Sequence, residues 1–361
     1  MKNRGLYVHI PFCKEKCAYC DFYSLPKKES LFDAYCDAII EEAKKIPCER
    51  LSTLYLGGGT PTLLGAERLE NLISFLNHRF GPFKEATLEA NPAENLEEIF
   101  KRAKKAGITR VSLGAQSGNE NELKFLNRRH SVDDIKKAVS SARNSGIDNI
   151  SLDLMLGIPE QTRESLKNSI DFITDLKPQH ISSYMLSLGE GTPLYQRRNE
   201  YNFPCEEETA ELYLFAVEEL SKKGYEQYEI SNFCRKNFSS LHNLNYWNCG
   251  EYYCLGPSAH GFIDGTRYCY ENDLKKFIEN PEKIKVDEGG NAEEYLMLRL
   301  RLNDGVVFSQ YERIYGKFPE KLLKNAVPLK EKGLLKIDEN RLSLTREGFL
   351  LFNEIFIKLL S

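Results

Sequence analysis

Three closely spaced cysteines near the start of the chain constrain its fold and chemistry more than any other feature. Cys13, Cys17 and Cys20 have the spacing C-x3-C-x2-C. Three thiolates can bind three irons of a cubane 4Fe–4S cluster, which more often has four Cys ligands, so one iron is left open. The alternative is three structural thiols at i, i+4 and i+7. The adjacent Pro11 and Phe12 make a chance triplet harder to accept.

Composition narrows the classes of protein that remain. The 361 residues are 41% hydrophobic, which suits one large domain with a small one, or two domains. A net charge of −4 offers no basic surface for nucleic acid. Residues 1–30 lack the apolar stretch of a signal peptide, so we expect a cytoplasmic protein with reduced thiols. Cys249 and Cys254, the nearest approach to a second metal spacing, are expected to be structural.

Strand and helix patterns alternate through the first two-thirds of the chain. Predicted strands cover Leu6–Ile10, Thr53–Leu56, Glu85–Ala90, Arg110–Leu113, Asn149–Leu156 and His180–Leu186. Helical patterns separate them, so six β/α steps predict a parallel sheet with right-handed crossovers. The predicted fold class is α/β, a partial (β/α)6 TIM-like barrel, with ligands at the C-terminal ends of its strands.

The pattern changes after Glu206. A helix is predicted at Glu207–Lys223, followed by an irregular aromatic stretch over Tyr225–Tyr270. Residues 292–361 read as two helices, a hairpin near residues 338–340 and a final helix, which is typical of a small winged-helix-like module. We therefore predict a core domain over residues 1–230, a connecting region over 231–290 and a helical C-terminal domain over 291–361.

Several polar residues follow or end the predicted strands. The run Gly57–Thr60 follows the second strand, where glycine either lets a ligand approach the backbone or makes an ordinary tight turn. Glu89 ends the third strand, Gln116 ends the fourth, and Arg128 follows the next helix. Asp153 lies within an otherwise apolar strand, where a buried carboxylate is costly unless it is paired. This cost favours a functional role for Asp153.

Taken together, these motifs resemble the oxygen-independent coproporphyrinogen III oxidase group of radical S-adenosylmethionine (SAM) proteins. The resemblance covers nearly the whole chain. It rests on Tyr-Val-His-Ile-Pro-Phe-C-x3-C-x2-C, Gly-Gly-Gly-Thr-Pro-Thr, Leu-Glu-Ala-Asn-Pro, Leu-Gly-Ala-Gln-Ser, Asp-Leu-Met-Leu-Gly-Ile-Pro and His-Ile-Ser-Ser-Tyr. In this group a partial six-stranded barrel holds a 4Fe–4S cluster and two SAM molecules.

The resemblance implies a set of binding residues in this chain. The cluster is expected on Cys13, Cys17 and Cys20, with SAM on the open iron. One SAM is expected to contact Tyr7, Gly58 and Glu89. The second is expected to contact Tyr19, Gly59, Thr60, Gln116, Arg128 and Asp153.

The group has two branches, and this chain resembles the heme-chaperone branch, HemW. The oxidase branch has an N-terminal extension and a fourth Cys two residues after the third, where this chain has Phe22. The run His242-Asn-Leu-Asn-Tyr246-Trp247 resembles the His-Asn-x-x-Tyr-Trp signature of HemW. Imidazole is a good axial ligand for heme iron and aromatic rings can stack on a porphyrin, so His242 is the candidate heme ligand. The alternative is a histidine hydrogen-bonded within the protein, and His260 is a second candidate.

The expected function is therefore that of a heme chaperone that binds a 4Fe–4S cluster, SAM and heme. Expected partners are a heme-acceptor protein, with respiratory, membrane-associated proteins as candidates, and an electron donor such as flavodoxin or ferredoxin. Reductive SAM cleavage would release a 5′-deoxyadenosyl radical. The alternative is an enzyme, the oxygen-independent coproporphyrinogen III dehydrogenase, which decarboxylates coproporphyrinogen III to protoporphyrinogen IX.

Overall fold

Alternating strands and helices form the first half of the molecule. The structure, a computed structural model, describes residues 4–93 and 95–361. The first three residues of the predicted 1–230 domain lie outside this part. The elements are β1 (Gly5–Ile10), β2 (Phe12–Cys13), β3 (Leu25–Pro26), α1 (Phe32–Lys45), β4 (Thr53–Gly58), α2 (Ala66–Phe80), β5 (Glu85–Ala90), α3 (Glu97–Ala106), β6 (Arg110–Gln116), α4 (Glu120–Phe125), α5 (Val132–Asn144), β7 (Asn149–Leu156), α6 (Arg163–Asp175) and β8 (His180–Met185).

The second half adds short strands and a helical module. The connecting elements are α7 (Pro193–Gln196), α8 (Glu206–Lys222), β9 (Glu226–Gln227), β10 (Asn232–Cys234), α9 (Leu241–Trp247), β11 (Tyr252–Leu255), β12 (His260–Ile263), β13 (Thr266–Tyr270), α10 (Leu274–Glu279) and β14 (Lys283–Glu288). The C-terminal elements are α11 (Ala292–Arg299), β15 (Val306–Val307), α12 (Phe308–Tyr315), α13 (Glu320–Glu331), β16 (Leu335–Ile337), β17 (Arg341–Leu344), α14 (Arg346–Leu350) and α15 (Phe352–Leu360).

Six parallel strands form the core sheet, in the order β1-β4-β5-β6-β7-β8. They are the six strands that the sequence predicts, and β5 and β7 match the prediction residue for residue. Strand side chains alternate between the two faces of a sheet. Along β7, Ile150, Leu152 and Leu154 are buried in the apolar core, while Ser151 and Asp153 line an interior cavity. The alternation gives the barrel an apolar outer layer and a polar interior.

The aromatic stretch after residue 225 is not irregular, contrary to the prediction. It forms β9 to β13 and α9, and these five strands, together with β14, extend both edges of the six-stranded core sheet to twelve strands. At one edge β11 pairs in parallel with β1, and β12 to β14 follow in antiparallel order. At the other edge β10 pairs antiparallel with β8. The sheet therefore continues across the predicted boundary at residues 230–231.

A buried carboxylate holds α9 against the N-terminal end of the barrel. Glu85, the first residue of β5, is 3% exposed. It accepts hydrogen bonds from the backbone N–H groups of Leu241 and His242, both at 3.0 Å, and from Ser240 Oγ at 3.3 Å. These amides belong to the first turn of α9, where a negative charge is favourable. Through this contact α9 covers the end of the barrel opposite the cysteines.

The C-terminal helices build a second apolar core around a small sheet of strand order β15-β17-β16. The predicted hairpin near residues 338–340 is confirmed as β16 and β17. The module joins the barrel through the backbone, since Ile230 N–H donates to Arg301 O at 3.0 Å. Within residues 4–93 and 95–361, no helix has both the length and the apolar character needed to cross a membrane.

We predict that Glu85→Ala lowers the free energy of unfolding by about 1–3 kcal/mol, because buried amides of α9 lose their acceptor. Urea unfolding followed by tryptophan fluorescence measures this, since the single tryptophan, Trp247, lies in α9 itself. Glu85→Gln keeps one acceptor oxygen and should lose less. Glu339→Ala on the surface hairpin is the control. Equal stability of Glu85→Ala and Glu339→Ala would contradict the role of Glu85.

Candidate functional site

The three predicted cluster ligands lie on one loop at the C-terminal end of β1. Cys13, Cys17 and Cys20 are free, half-buried thiols. Among the described residues, no three His, Cys, Asp or Glu side chains come close enough to share one metal ion. Cysteines that each bind a different iron of a cubane need not converge on a point.

Neighbouring side chains add positive charge and a hydroxyl to the cysteine loop. Arg128 Nη1 lies 3.3 Å from Cys17 Sγ, and its Nη2 donates to Gly114 O at 2.6 Å. The buried Nε of Arg128 has no hydrogen-bond partner in the described part of the chain. Thr60 Oγ1 lies 3.9 Å from Cys13 Sγ. Burial raises the pKa of the Cys13 and Cys20 thiols, so a nearby cation is needed to favour thiolates.

The triple glycine is required by close packing within the protein. A Cβ on Gly59 would lie 2.5 Å from the carbonyl oxygen of Phe12, at the start of the cysteine loop. A Cβ on Gly58 would meet the His9 ring at 2.6 Å, and the φ of Gly58, 109°, also disfavours other residues. Thr60 N–H donates to Phe12 O at 2.7 Å. The turn after β4 thus packs against Phe12, the residue before Cys13, and supports the start of the cysteine loop.

The barrel encloses a cavity of about 370 Å³ beside the cysteine loop. Among the predicted site residues, Tyr19, Glu89, Asp153 and Cys20 line it. Side chains at every second position of the strands complete the wall: Arg110 and Ser112 of β6, Ser151 of β7, and His180, Ser182 and Tyr184 of β8. We call this space the barrel cavity. Its volume and its polar wall suit a small polar ligand.

Two carboxylates, Glu89 and Asp153, line the barrel cavity together with the guanidinium of Arg110. Glu89 accepts hydrogen bonds from Tyr55 OH at 2.7 Å and from Gly58 N–H at 3.2 Å. Burial raises the pKa of Glu89. Burial and, next, the charge of Glu89 raise the pKa of Asp153 to about 7. A ligand with cationic and hydroxyl groups, as SAM has, fits this pair of acids.

Six of the predicted SAM-binding residues do not line the barrel cavity in the described part of the chain. Tyr7 OH bonds to His9 Nδ1 at 2.9 Å, and His9 Nε2 bonds to Tyr23 O at 2.8 Å, so His9 links β1 to the segment that follows the three cysteines. Gln116 has a φ of 69° and accepts from Tyr184 OH at 2.7 Å. Of the residues that the structure describes, Tyr7, Gly58, Gly59, Thr60, Gln116 and Arg128 are not among those lining the cavity.

One group of residues at the barrel cavity is absent from the sequence-based predictions. His180, Ser151 and Tyr228 form a hydrogen-bonded group that we call the polar floor of the barrel cavity. His180 Nδ1 bonds to Ser151 Oγ at 2.8 Å, and its Nε2 bonds to Tyr228 OH at 2.9 Å. Burial lowers the pKa of His180 well below its usual value, so the ring is neutral. The motif His-Ile-Ser-Ser-Tyr contains the signal, because its first, third and fifth residues share the inner face of β8.

His242, the candidate heme ligand, is buried, with a hydrogen-bond partner at each ring nitrogen. Its Nδ1 bonds to Thr53 Oγ1 at 2.8 Å and its Nε2 bonds to Tyr246 OH at 2.7 Å. The ring is 1% exposed, and burial lowers its pKa to about 3. Heme ligation by His242 would require one of these hydrogen bonds to be replaced, and it stays a prediction. His260, the second candidate, is exposed at the start of β12.

Comparisons with known proteins agree with this architecture. The model of the radical SAM superfamily matches residues 7–173, and that of the HemN C-terminal domain matches residues 291–351. Coproporphyrinogen III oxidase (HemN) from Escherichia coli, a radical SAM enzyme, superimposes with a TM-score of 0.84 over 99% of this chain and 90% of that chain, at 21% identity. The fold and the cysteine loop thus define the class, a radical SAM protein, which implies a 4Fe–4S cluster and SAM as cofactors.

Sequence relatives define the family within that class. Heme chaperone HemW of Lactococcus lactis is 34% identical over 370 residues, covering 99% of this chain and 98% of the relative. Heme chaperone HemW of Bacillus subtilis is 34% identical over 373 residues, covering 98% of each. The chain belongs to the HemW family.

We predict that replacing Cys13, Cys17 and Cys20 together with Ala abolishes the broad visible absorbance of the reconstituted protein, because three irons lose their ligands. Iron and sulfide analysis of anaerobically reconstituted samples measures this. The control replaces Cys48, Cys205 and Cys269, which lie outside the loop. Full iron and sulfide content in the loop variant would place the cluster elsewhere.

The pKa of Asp153 predicts a pH dependence of stability. A carboxyl whose pKa rises from 3.8 to about 7 on folding binds its proton more tightly in the folded state. It therefore costs stability progressively as the pH rises from about 4 to about 7. Asp153→Asn should match the wild type near pH 4 and be more stable at pH 8 by a few kcal/mol. Urea unfolding of protein without SAM tests this, and a difference independent of pH would contradict it.

Proposed function

We propose that this protein is a heme chaperone that uses a radical SAM core. One observation carries the proposal: similarity to curated HemW proteins extends over essentially the whole chain at 34% identity, through both the barrel and the C-terminal module. The structural match to HemN, at 21% identity, supports the fold alone. Phe22 stands where the oxidase branch has its fourth cysteine and is 64% exposed, and it offers no ligand group.

The cysteine loop and the barrel cavity have separate roles in the proposal. Cys13, Cys17 and Cys20 hold the cluster, and the guanidinium of Arg128 beside Cys17 offsets its negative charge. When bound, the cluster supplies one electron for SAM cleavage. Glu89 and Asp153 bind the amino and hydroxyl groups of SAM, and Tyr19 closes the cavity beside them. The remaining proposed contacts are Tyr7, Gly58, Gly59, Thr60, Gln116 and Arg128.

Heme is the cargo in this proposal. The protein would take up heme in the cytoplasm and pass it to an acceptor protein, with respiratory proteins at the membrane as candidates. An electron donor such as flavodoxin or ferredoxin would reduce the cluster. His242 remains a proposed heme contact, and its hydrogen bond to Thr53 of β4 also holds α9 on the barrel.

We predict that the purified protein binds heme without its cluster, because we propose heme near the His-Asn-x-x-Tyr-Trp motif of α9, and α9 and the cysteine loop lie at opposite ends of the barrel strands. Anaerobic heme titration of the wild type and of the variant lacking Cys13, Cys17 and Cys20 should give similar Soret changes. Transfer is measured by mixing loaded protein with an apo-cytochrome of the source organism.

A second assay separates the chaperone from the dehydrogenase. Incubation with coproporphyrinogen III, SAM and a reductant should give no decarboxylated product. Product formation without any Soret change on heme titration would overturn the chaperone and establish the enzyme.

A further inference from the structure

A groove outside the barrel cavity lies at the N-terminal end of the barrel. Its volume is about 700 Å³, against about 370 Å³ for the barrel cavity, and is within the range typical of small-molecule sites. Its walls come from the start of β4 (Thr53), from the residue before β5 (Lys84), from α9 (Leu241 and Leu244) and from α12 of the C-terminal module (Arg313 and Ile314). We call it the basal groove. The wall from α9 is part of the His-Asn-x-x-Tyr-Trp motif.

The helix α9 has two faces with different surroundings. Leu241, Leu244 and Asn248 follow one another at helical spacing and line the basal groove. His242 and Tyr246 lie on another face, where they bond to each other and to the sheet. Leu241 is 42% exposed, and Ile314 on α12 is 54% exposed. The basal groove thus presents apolar side chains from both domains to an incoming molecule.

Two cations border this apolar surface. Lys84 and Arg313 are exposed, and neither pairs with a carboxylate of any described residue. The carboxylate in the basal groove, Glu251, is bound to Arg4 Nε at 2.7 Å. Heme is a flat apolar ring with a metal at its centre and two propionates at one edge. Apolar walls bordered by unpaired cations complement that shape and charge.

The basal groove also contains a metal-binding side chain. Cys249 follows the motif directly, lines the groove and carries a free thiol. Its N–H donates to Tyr246 O at 2.9 Å, and its φ of 54° is uncommon for a residue other than glycine. Thiolate is an established axial ligand of heme iron. His242, by contrast, has both ring nitrogens engaged.

We propose that the basal groove is the heme site of this protein, with Cys249 as an axial ligand and Lys84 and Arg313 as partners of the propionates. The proposal rests on the proposed heme-chaperone function and names its binding site. Sulfur binds ferric iron as the thiol releases its proton to solvent, and no electron is transferred. The cysteine loop lies at the C-terminal ends of the strands and the basal groove at their N-terminal ends. The six residues of β4 separate these two ends by about 17 Å.

The test is a titration of ferric heme into the full-length, anaerobically purified protein, read by absorption and by electron paramagnetic resonance. The wild type should show the spectrum of thiolate-bound heme. Cys249→Ala and Cys249→Ser should lose that spectrum, and Cys205→Ala, at the exposed start of α8, should keep it. Lys84→Glu with Arg313→Glu should weaken binding about tenfold. Lys236→Glu with Lys336→Glu, the control of equal charge change, should not.

The outcomes separate this site from the chaperone function. Heme binding by the wild type with an unchanged spectrum and affinity in the basal-groove variants would overturn the site and leave the chaperone standing. A thiolate spectrum that survives in Cys249→Ala would overturn the ligand. No heme binding by the wild type would overturn both the site and the function.

Discussion

The contact between Glu85 and the first turn of α9 determines how the two halves of the molecule meet. A buried carboxylate at the start of β5 binds two backbone amides and one hydroxyl that are more than 150 residues away in sequence. Because of this contact, α9 lies across the open end of the barrel. The strand β11 that follows α9 can then pair with β1. The floor of the barrel cavity, the position of His242 and one wall of the basal groove all follow from it.

The barrel cavity places two carboxyl groups, Glu89 and Asp153, beside a cysteine loop whose thiolates are favoured by nearby positive charge. Arg128 lies beside Cys17, while Asp153 and Glu89 hold their protons more tightly than usual because of burial. A cationic ligand entering this space would favour the ionised carboxylates and so release a proton. Ligand binding and proton release are therefore linked in this cavity. The same burial keeps His180, on the cavity floor, neutral.

Local pattern was enough to predict the barrel but not its extension. Strands such as β5 and β7 alternate polar and apolar residues between turn signals, and their predicted bounds match the structure residue for residue. The strands β9 to β13 are two to five residues long, and β11 pairs with β1 across some 247 residues, which no local pattern reveals. Asp153 was recognised because a carboxylate in an apolar strand is costly. The hydrogen-bond partners of His242 cannot be predicted from the sequence, because a motif does not show which face of a helix is buried.

The helix α9 stands between two spaces. Asn243 lines the barrel cavity on one side, and Leu241 and Leu244 line the basal groove on the other. Because α9 lines both the barrel cavity and the basal groove, a movement of α9 toward one of them changes the volume of the other. If heme in the basal groove displaces α9, it alters SAM affinity, and thermodynamic linkage requires SAM to alter heme affinity by the same factor. In that case the seven-residue helix α9 would make the loading and release of heme depend on whether SAM is bound.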